Sequence, residues 1–262
     1  MKKIHYTLLL LLATFIFISC GTSTTSNTGD NTRPTTSGES ASIDVLVLYD
    51  KDVLAAYPSV TTRVNHLFAV SNNVYRDSYL NIKINAKKIL FYDAKTHPAL
   101  NEISDSVAIQ ALREQYKADT VLIYQVNPNG SFGQCGVALG ATVYDRPSQY
   151  KNLMFAQVEI NCPVDTTAHE LGHNMGLRHS HLQNGANPKP FSYGLGHGVQ
   201  GKFATIMAYS HLYNTSNQIS RFSSPEYECI AGYPCGISIG QEGQAHATKV
   251  LEITAPKIAN LY

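Results

Sequence analysis

Three histidines and a glutamate fall within one short stretch, His169-Glu170-Leu171-Gly172-His173-Asn174-Met175-Gly176-Leu177-Arg178-His179. Residues four apart share a helix face, so His169 and His173 can aim two imidazoles at a single ion. Imidazole nitrogen suits zinc, at about 2.0–2.1 Å. Glu170, beside the first histidine, places a carboxylate within reach of a water at that ion. Gly176 lets the chain leave the helix through a left-handed turn, and that turn returns His179 as a third ligand from another direction. Three protein ligands leave one position open, the arrangement of a catalytic rather than a structural site. The expected chemistry is hydrolysis by an activated water, with His169, His173 and His179 holding Zn2+ and Glu170 as general base. The other reading, ordinary histidines on a polar helix, is disfavoured by the fixed spacing of all five positions.

A helix bearing His169 and His173 needs a start, and Asp165-Thr166-Thr167 supplies an N-cap region. Upstream, residues 43–49 form a β-branched apolar run that reads as a buried strand. Residues 59–78 carry Val60, Val64, Leu67, Phe68, Val74 and Tyr75 near helical spacing. Residues 82–92 alternate as a second strand. Residues 100–116 predict one helix with Ile103, Val107, Ala108, Ala111, Leu112 and Tyr116 on one face. Residues 120–126 read as a third strand, 141–144 as a short edge strand and 153–160 as the last strand. This alternation argues for an α/β lobe. Beyond His179, Gly, Pro, Asn and Ser dominate as far as Gly243. Helical periodicity returns over residues 244–261, where Pro256 should bend or interrupt it. The second lobe is thus expected to be loop-rich and to end in one helix.

The 262 residues suit one substantial domain, or a domain of two lobes, and 44% apolar content is ordinary. Net charge is +1, with charges scattered, so no basic field for nucleic acid exists. Lys2, Lys3 and His5 precede an apolar run over 8–18, shorter than the roughly 20 residues a membrane-crossing helix needs, but suited to a secretory signal. The end of that signal, Phe17-Ile18-Ser19-Cys20, is similar to a bacterial lipobox, which implies acylation of Cys20 and anchoring to the cell envelope (the outer membrane in a diderm host). An ordinary signal cut near the same point is the alternative. Residues 1–20 are therefore read as signal, 21–42 as a Thr-, Ser-, Asn- and Gly-rich tether, and 43–262 as the catalytic domain. Four cysteines remain, an even number for an oxidising compartment. Of their possible pairings, Cys135–Cys162 with Cys229–Cys235 is favoured because each closes a local loop. Their spacings lack the C-x₂₋₄-C pattern of structural zinc.

The histidine segment resembles the metzincin signature H-E-x-x-H-x-x-G-x-x-H. That resemblance implies a downstream Met-turn, and Thr205-Ile206-Met207-Ala208-Tyr209 matches it, with Met207 28 positions after His179. Over about residues 43–262 it implies a two-lobed metzincin-type α/β domain: a mixed twisted sheet, backing and active-site helices, and a loop-rich C-terminal lobe ending in a helix. Within that group the chain looks most like bacterial reprolysin-like enzymes, particularly the peptidyl-Asp metallopeptidases. The cues are residues 43–49, Asn161-Cys162, the stretch 205–209 and Arg221-Phe222-Ser223-Ser224-Pro225. Ser180 departs from the pattern, since reprolysins usually place Asp after the third histidine and serine is similar to the matrixins. Tyr209 matches a tyrosine that serves the oxyanion in astacin and serralysin types, with a core tyrosine as the equal alternative. His181, His197 and His211 read as structural or solvent-facing, and Arg221 or Lys202 as candidates for lining an acid-preferring pocket. The implied function is a zinc endopeptidase acting on protein or peptide substrates. The alternative is an envelope lipoprotein that acts on cell-wall peptides or serves as a binding or adhesion module. With no cysteine-switch motif and no long segment between Cys20 and residue 43, latency through an N-terminal inhibitory domain is not expected.

Overall fold

Alternate side chains of the first strand, β1 (Ala41–Tyr49), enter two different cores. Ile43, Val45 and Val47 belong to one apolar cluster and Leu46 and Leu48 to another, as the two-residue period of a strand buried on both faces requires. The computed structural model in which this is seen describes residues 38–92, 98–126, 134–140, 151–184 and 191–262. The strand begins at Ala41, before the boundary expected at residue 43, because Ala41 is already buried and paired beside Ile82. The signal, Cys20 and the tether as far as residue 37 lie outside the described residues.

Two helices follow, α1 (Lys51–Ala56) and α2 (Val60–Asp77). Asp50 caps α1, its carboxylate accepting from the amides of Asp52 and Val53 at 3.0 and 2.9 Å. The buried stripe of α2 is the one its spacing predicts, from Val60 through Val64, Leu67, Phe68 and Val74 to Tyr75. Each such side chain taken fully out of water contributes about 1.5–3 kcal/mol. β2 (Ile82–Phe91) then runs parallel to β1.

The single helix expected over 100–116 is two, α3 (Leu100–Ser104) and α4 (Val107–Tyr116). Ser106 restarts the helix, its hydroxyl accepting from the Ile109 amide at 3.4 Å. The restart turns a different face inward: Ile109 and Arg113 are buried, whereas Val107 is 84% exposed and Ala108 and Ala111 face solvent. Arg113 donates to the carbonyls of Ala118, Asp119 and Lys151 and lies over the Phe155 ring. It thereby fastens α4 to the start of β3 (Thr120–Gln125), a role no apolar periodicity reveals.

β4 (Gly136–Ala138) and β5 (Phe155–Glu159) complete a sheet of order β2-β1-β3-β5-β4. Every neighbouring pair is parallel except β4, which lies antiparallel to β5 at the edge. The edge strand expected at 141–144 falls outside the described residues. After β5 come α5 (Thr166–Asn174) and the short α6 (His181–Asn184). The chain then makes β6 (Gly198–Val199), β7 (Phe203–Thr205) and β8 (Gln218–Ile219), and a hairpin of β9 (Glu228–Ile230) and β10 (Tyr233–Pro234). Its last helix, α7 (Ala247–Ile258), begins three residues later than expected and continues through Pro256, which sits in its final turn where little helix remains to disrupt. Val250, Leu251, Ala255 and Ile258 of α7 join the same core as Ile43 and Val45. Both favoured disulfides are present, Cys135–Cys162 and Cys229–Cys235.

Candidate metal centre and cleft

α5 is seated by its buried face, which includes Thr167, Ala168, Leu171 and Asn174. Asp165 stands at its N-cap, but the carboxylate does not cap as expected; it accepts from the Ser220 hydroxyl at 2.8 Å instead. Gly172 has little room: a Cβ there would meet Met207 Sδ at 3.2 Å and Leu177 Cδ1 at 3.3 Å. Past the helix end, Gly176 has φ of 98°, the left-handed conformation its position called for. The chain turns there and brings His179 back to the helix.

The three Nε2 atoms form a triangle: His169 to His173 3.2 Å, His169 to His179 3.2 Å, His173 to His179 3.0 Å. Ligands at 2.0–2.1 Å in tetrahedral directions stand about 3.3 Å apart, so the triangle fits one zinc ion. His169 Nδ1 faces the Ile206 carbonyl at 2.7 Å and His173 Nδ1 faces that of Leu177 at 2.9 Å. With the proton assigned to Nδ1 by those contacts, Nε2 keeps its lone pair for a metal. Burial lowers the pKa of His169, holds that of His173 well below the usual imidazole range, and brings His179 to about 4. All three imidazoles are therefore neutral near pH 7, the form that binds metal. Among the described residues this is the one cluster of His, Cys, Asp or Glu with ligand geometry.

Glu170 is 4% exposed and its Oε2 has no hydrogen-bond partner. Burial raises its pKa to about 8. An orphaned buried carboxylate is costly, and a cation at the neighbouring imidazoles would draw that pKa back down. Its side chain lies against Gly136 of β4, where an added Cβ would come within 2.6 Å of Glu170 Cγ and Oε1.

A cleft of about 520 Å³ opens here. Gln134, Cys135 and Gly136 line it from the β4 side, Thr166, His169 and Glu170 from α5, and Ile206, residues 208–211 and Gln218 from the segment after β7. Tyr209 is 43% exposed in that cleft, its ring centroid 4.8 Å from that of His179, so it is not a core tyrosine. Met207 is fully buried, in a turn closed by the Ala208 amide to the Thr205 carbonyl at 2.8 Å. Two residues invisible to motif reading shape that turn. Gly196 permits backbone contact, since a Cβ there would sit 2.4 Å from the Met207 carbonyl carbon. Gln218 Nε2 braces the turn by donating to the carbonyls of Thr205 and Ala208 at 2.8 and 3.1 Å.

The remaining candidates divide. Ser180 is buried and donates to Gln183 Oε1 at 3.2 Å, and that same oxygen accepts from the Tyr209 amide at 3.2 Å. The serine that departs from the reprolysin pattern is thus linked to the cleft tyrosine through one side chain. Arg221 and Lys202 do not line the cleft; each lies over an aromatic ring, Tyr227 and Tyr233 respectively, at 5.7 Å. His181 Nε2 faces the Gln244 carbonyl at 2.9 Å, and His211 is exposed along the cleft, 5.7 Å from the Tyr209 ring.

His197 is structural, with its backbone held on both sides by Thr205 Oγ1. Burial first, and then the charge of His181, bring its pKa to about 4. The unfolded chain takes up this proton near pH 6.5 and the folded chain only near 4, so stability falls as pH drops through that window. The ceiling on this contribution is roughly 3 kcal/mol. Thermal unfolding of His197→Gln should accordingly show a shallower decline towards acid than the parent chain; equal slopes would remove His197 as a source.

A mixed α/β sheet, with two histidines on the helix beside its edge strand and a third returned to them by the turn after it, is consistent with a metzincin-like fold. Residues 39–223 match Reprolysin_5, metallo-peptidase family M12, and the chain belongs to that family. The peptidyl-Asp metalloendopeptidase of Pseudomonas aeruginosa is 30% identical over 243 residues, covering 83% of this chain and 40% of that protein. This chain therefore spans well under half of that relative's length. A chain from a chaperone–substrate complex superposes with a TM-score of 0.64 at 23% identity, over 85% of this chain and 39% of that one, which is a likeness of fold.

Proposed function

We propose that this chain is a zinc-dependent endopeptidase that hydrolyses peptide bonds of proteins. The observation that carries the reading is the triangle of Nε2 atoms beside the unpartnered Glu170 Oε2 in an open cleft. His169, His173 and His179 would hold the zinc, which supplies a Lewis acid for the scissile carbonyl and the attacking water. Glu170 would take a proton from that water and pass it to the leaving amine, its carboxylate kept ionised by the cation beside it. Tyr209 would donate its hydroxyl to the oxyanion, a role supported by its ring lying 4.8 Å from that of His179 in the cleft. Among the described residues β4 pairs on one side only, so an extended substrate would align along its other edge next to Glu170.

The relative's peptidyl-Asp name makes aspartyl bonds the first to test, with Gln134 and His211 among the described polar lining that would meet such a side chain. The two disulfides agree with an exported protein, and anchoring through an acylated Cys20 is part of the same proposal. The test is zinc content by elemental analysis, together with cleavage of unfolded casein before and after chelation. One zinc per chain and cleavage that stops with the chelator and returns with zinc are expected. Zinc without protein cleavage would shift the reading to cell-wall peptides or binding, and a chain that takes up no zinc would end it.

A further inference from the structure

The strand β4 has three residues and, among the described residues, one neighbour, β5. Both of its ends are nevertheless fastened, one to the turn that leads into α5 and one to the last residue of that helix. At its start, Cys135 is bonded to Cys162, a short step before the N-cap of that helix at Asp165. At its finish, the Leu139 carbonyl accepts from Asn174 Nδ2 at 2.6 Å. Asn174 is the last residue of α5 and 1% exposed. Its amide also reaches the carbonyls of Phe155 and Leu153 at 2.9 and 3.1 Å, so it holds β5 in the same grip. Between the two fastenings, Gly136 lies against Glu170.

We propose that the Cys135–Cys162 disulfide and Asn174 are positioning residues that clamp β4 onto α5 and so fix the height at which substrate is held over Glu170. This rests on the endopeptidase reading for its kinetic consequence, but the clamp itself does not. The chemistry at Asn174 is specific. Carbonyl oxygens only accept, so the side chain facing them must bring N–H groups, which Asp or Leu of similar size cannot. The Cys229–Cys235 bond, closing a loop of sequence separation 6 around the β9–β10 hairpin, is the natural control.

The experiment compares the full zinc-loaded chain with C135S/C162S, Asn174→Leu and C229S/C235S. Amide exchange of residues 136–139, zinc content, and KM and kcat on one casein-derived peptide are measured for each. Both clamp variants should exchange those amides about tenfold faster or more while keeping one zinc per chain. KM should rise by about tenfold, with kcat changing less, and the control should match the parent in every readout. Exchange and KM within about twofold of the parent in either clamp variant would overturn the proposal. So would loss of zinc or of cooperative unfolding in C135S/C162S, because the bond would then be a general staple. If the parent chain cleaves nothing, the endopeptidase reading fails, while the exchange data still decide whether the clamp exists.

Discussion

Glu170→Gln is expected to bind zinc as the parent chain does and to lose hydrolysis by at least about 10²–10⁴-fold. The substitution keeps the shape of the side chain and leaves the three imidazoles and their carbonyl partners, Ile206 and Leu177, untouched. What it removes is the only carboxylate beside the triangle among the residues lining the cleft from α5. The folded state should not suffer, because a buried carboxylate oxygen without a partner is replaced by a neutral group. The pair of measurements is therefore discriminating: elemental analysis and thermal unfolding should be preserved while turnover collapses. Turnover near the parent level would refute Glu170 as the base.

Gly136→Ala should produce a comparable pattern from the other side of the cleft. The new methyl would stand 2.6 Å from Glu170 Cγ and Oε1. Backbone of the β4–β5 ladder cannot easily retreat, so the carboxylate must swing away from the triangle. A displacement of the order of 1 Å at a catalytic group costs about 10²-fold in rate. Fold stability should change less than activity, since the atoms that give way, from Cγ outwards, belong to one side chain. Expected, then, are normal zinc content, a kcat lowered far more than KM, and an unfolding midpoint close to that of the parent. A variant with full kcat would show that Glu170 has freedom the packing does not indicate.

The site was legible in the sequence to the extent that it is local. His169, His173, Gly176 and His179 lie where helix geometry and one left-handed turn put them, because both are set by residues a few positions apart. The buried stripe of α2 and the two-sided burial of β1 followed from periodicity in the same way. What escaped depends on distant partners. Asp165 has the composition of a cap, but Ser220 takes its carboxylate. Residues 100–116 have continuous helical spacing, yet Ser106 offers a second cap and rotates the inner face onto Ile109 and Arg113. Arg221 and Lys202 carry the charge an acid-preferring pocket would need, and instead lie along tyrosine rings. Gly136, Gly196 and Gln218 do their work through contacts with residues far along the chain, for which no spacing rule exists.

The Ile206 carbonyl that faces His169 Nδ1 lies 37 residues further along the chain than the histidine itself. During synthesis the histidine helix can therefore emerge, and even wind, before the group that orients its first imidazole has been made. The Phe222 amide that bonds Ser78 Oγ, across a separation of 144, closes the same neighbourhood later still. High-affinity metal capture would thus belong to the end of folding, once the segment around Met207 has docked beneath Gly172. A nascent or incompletely folded chain would hold its histidines without yet holding them in register, so tight zinc uptake at this triangle would mark a chain that has finished folding.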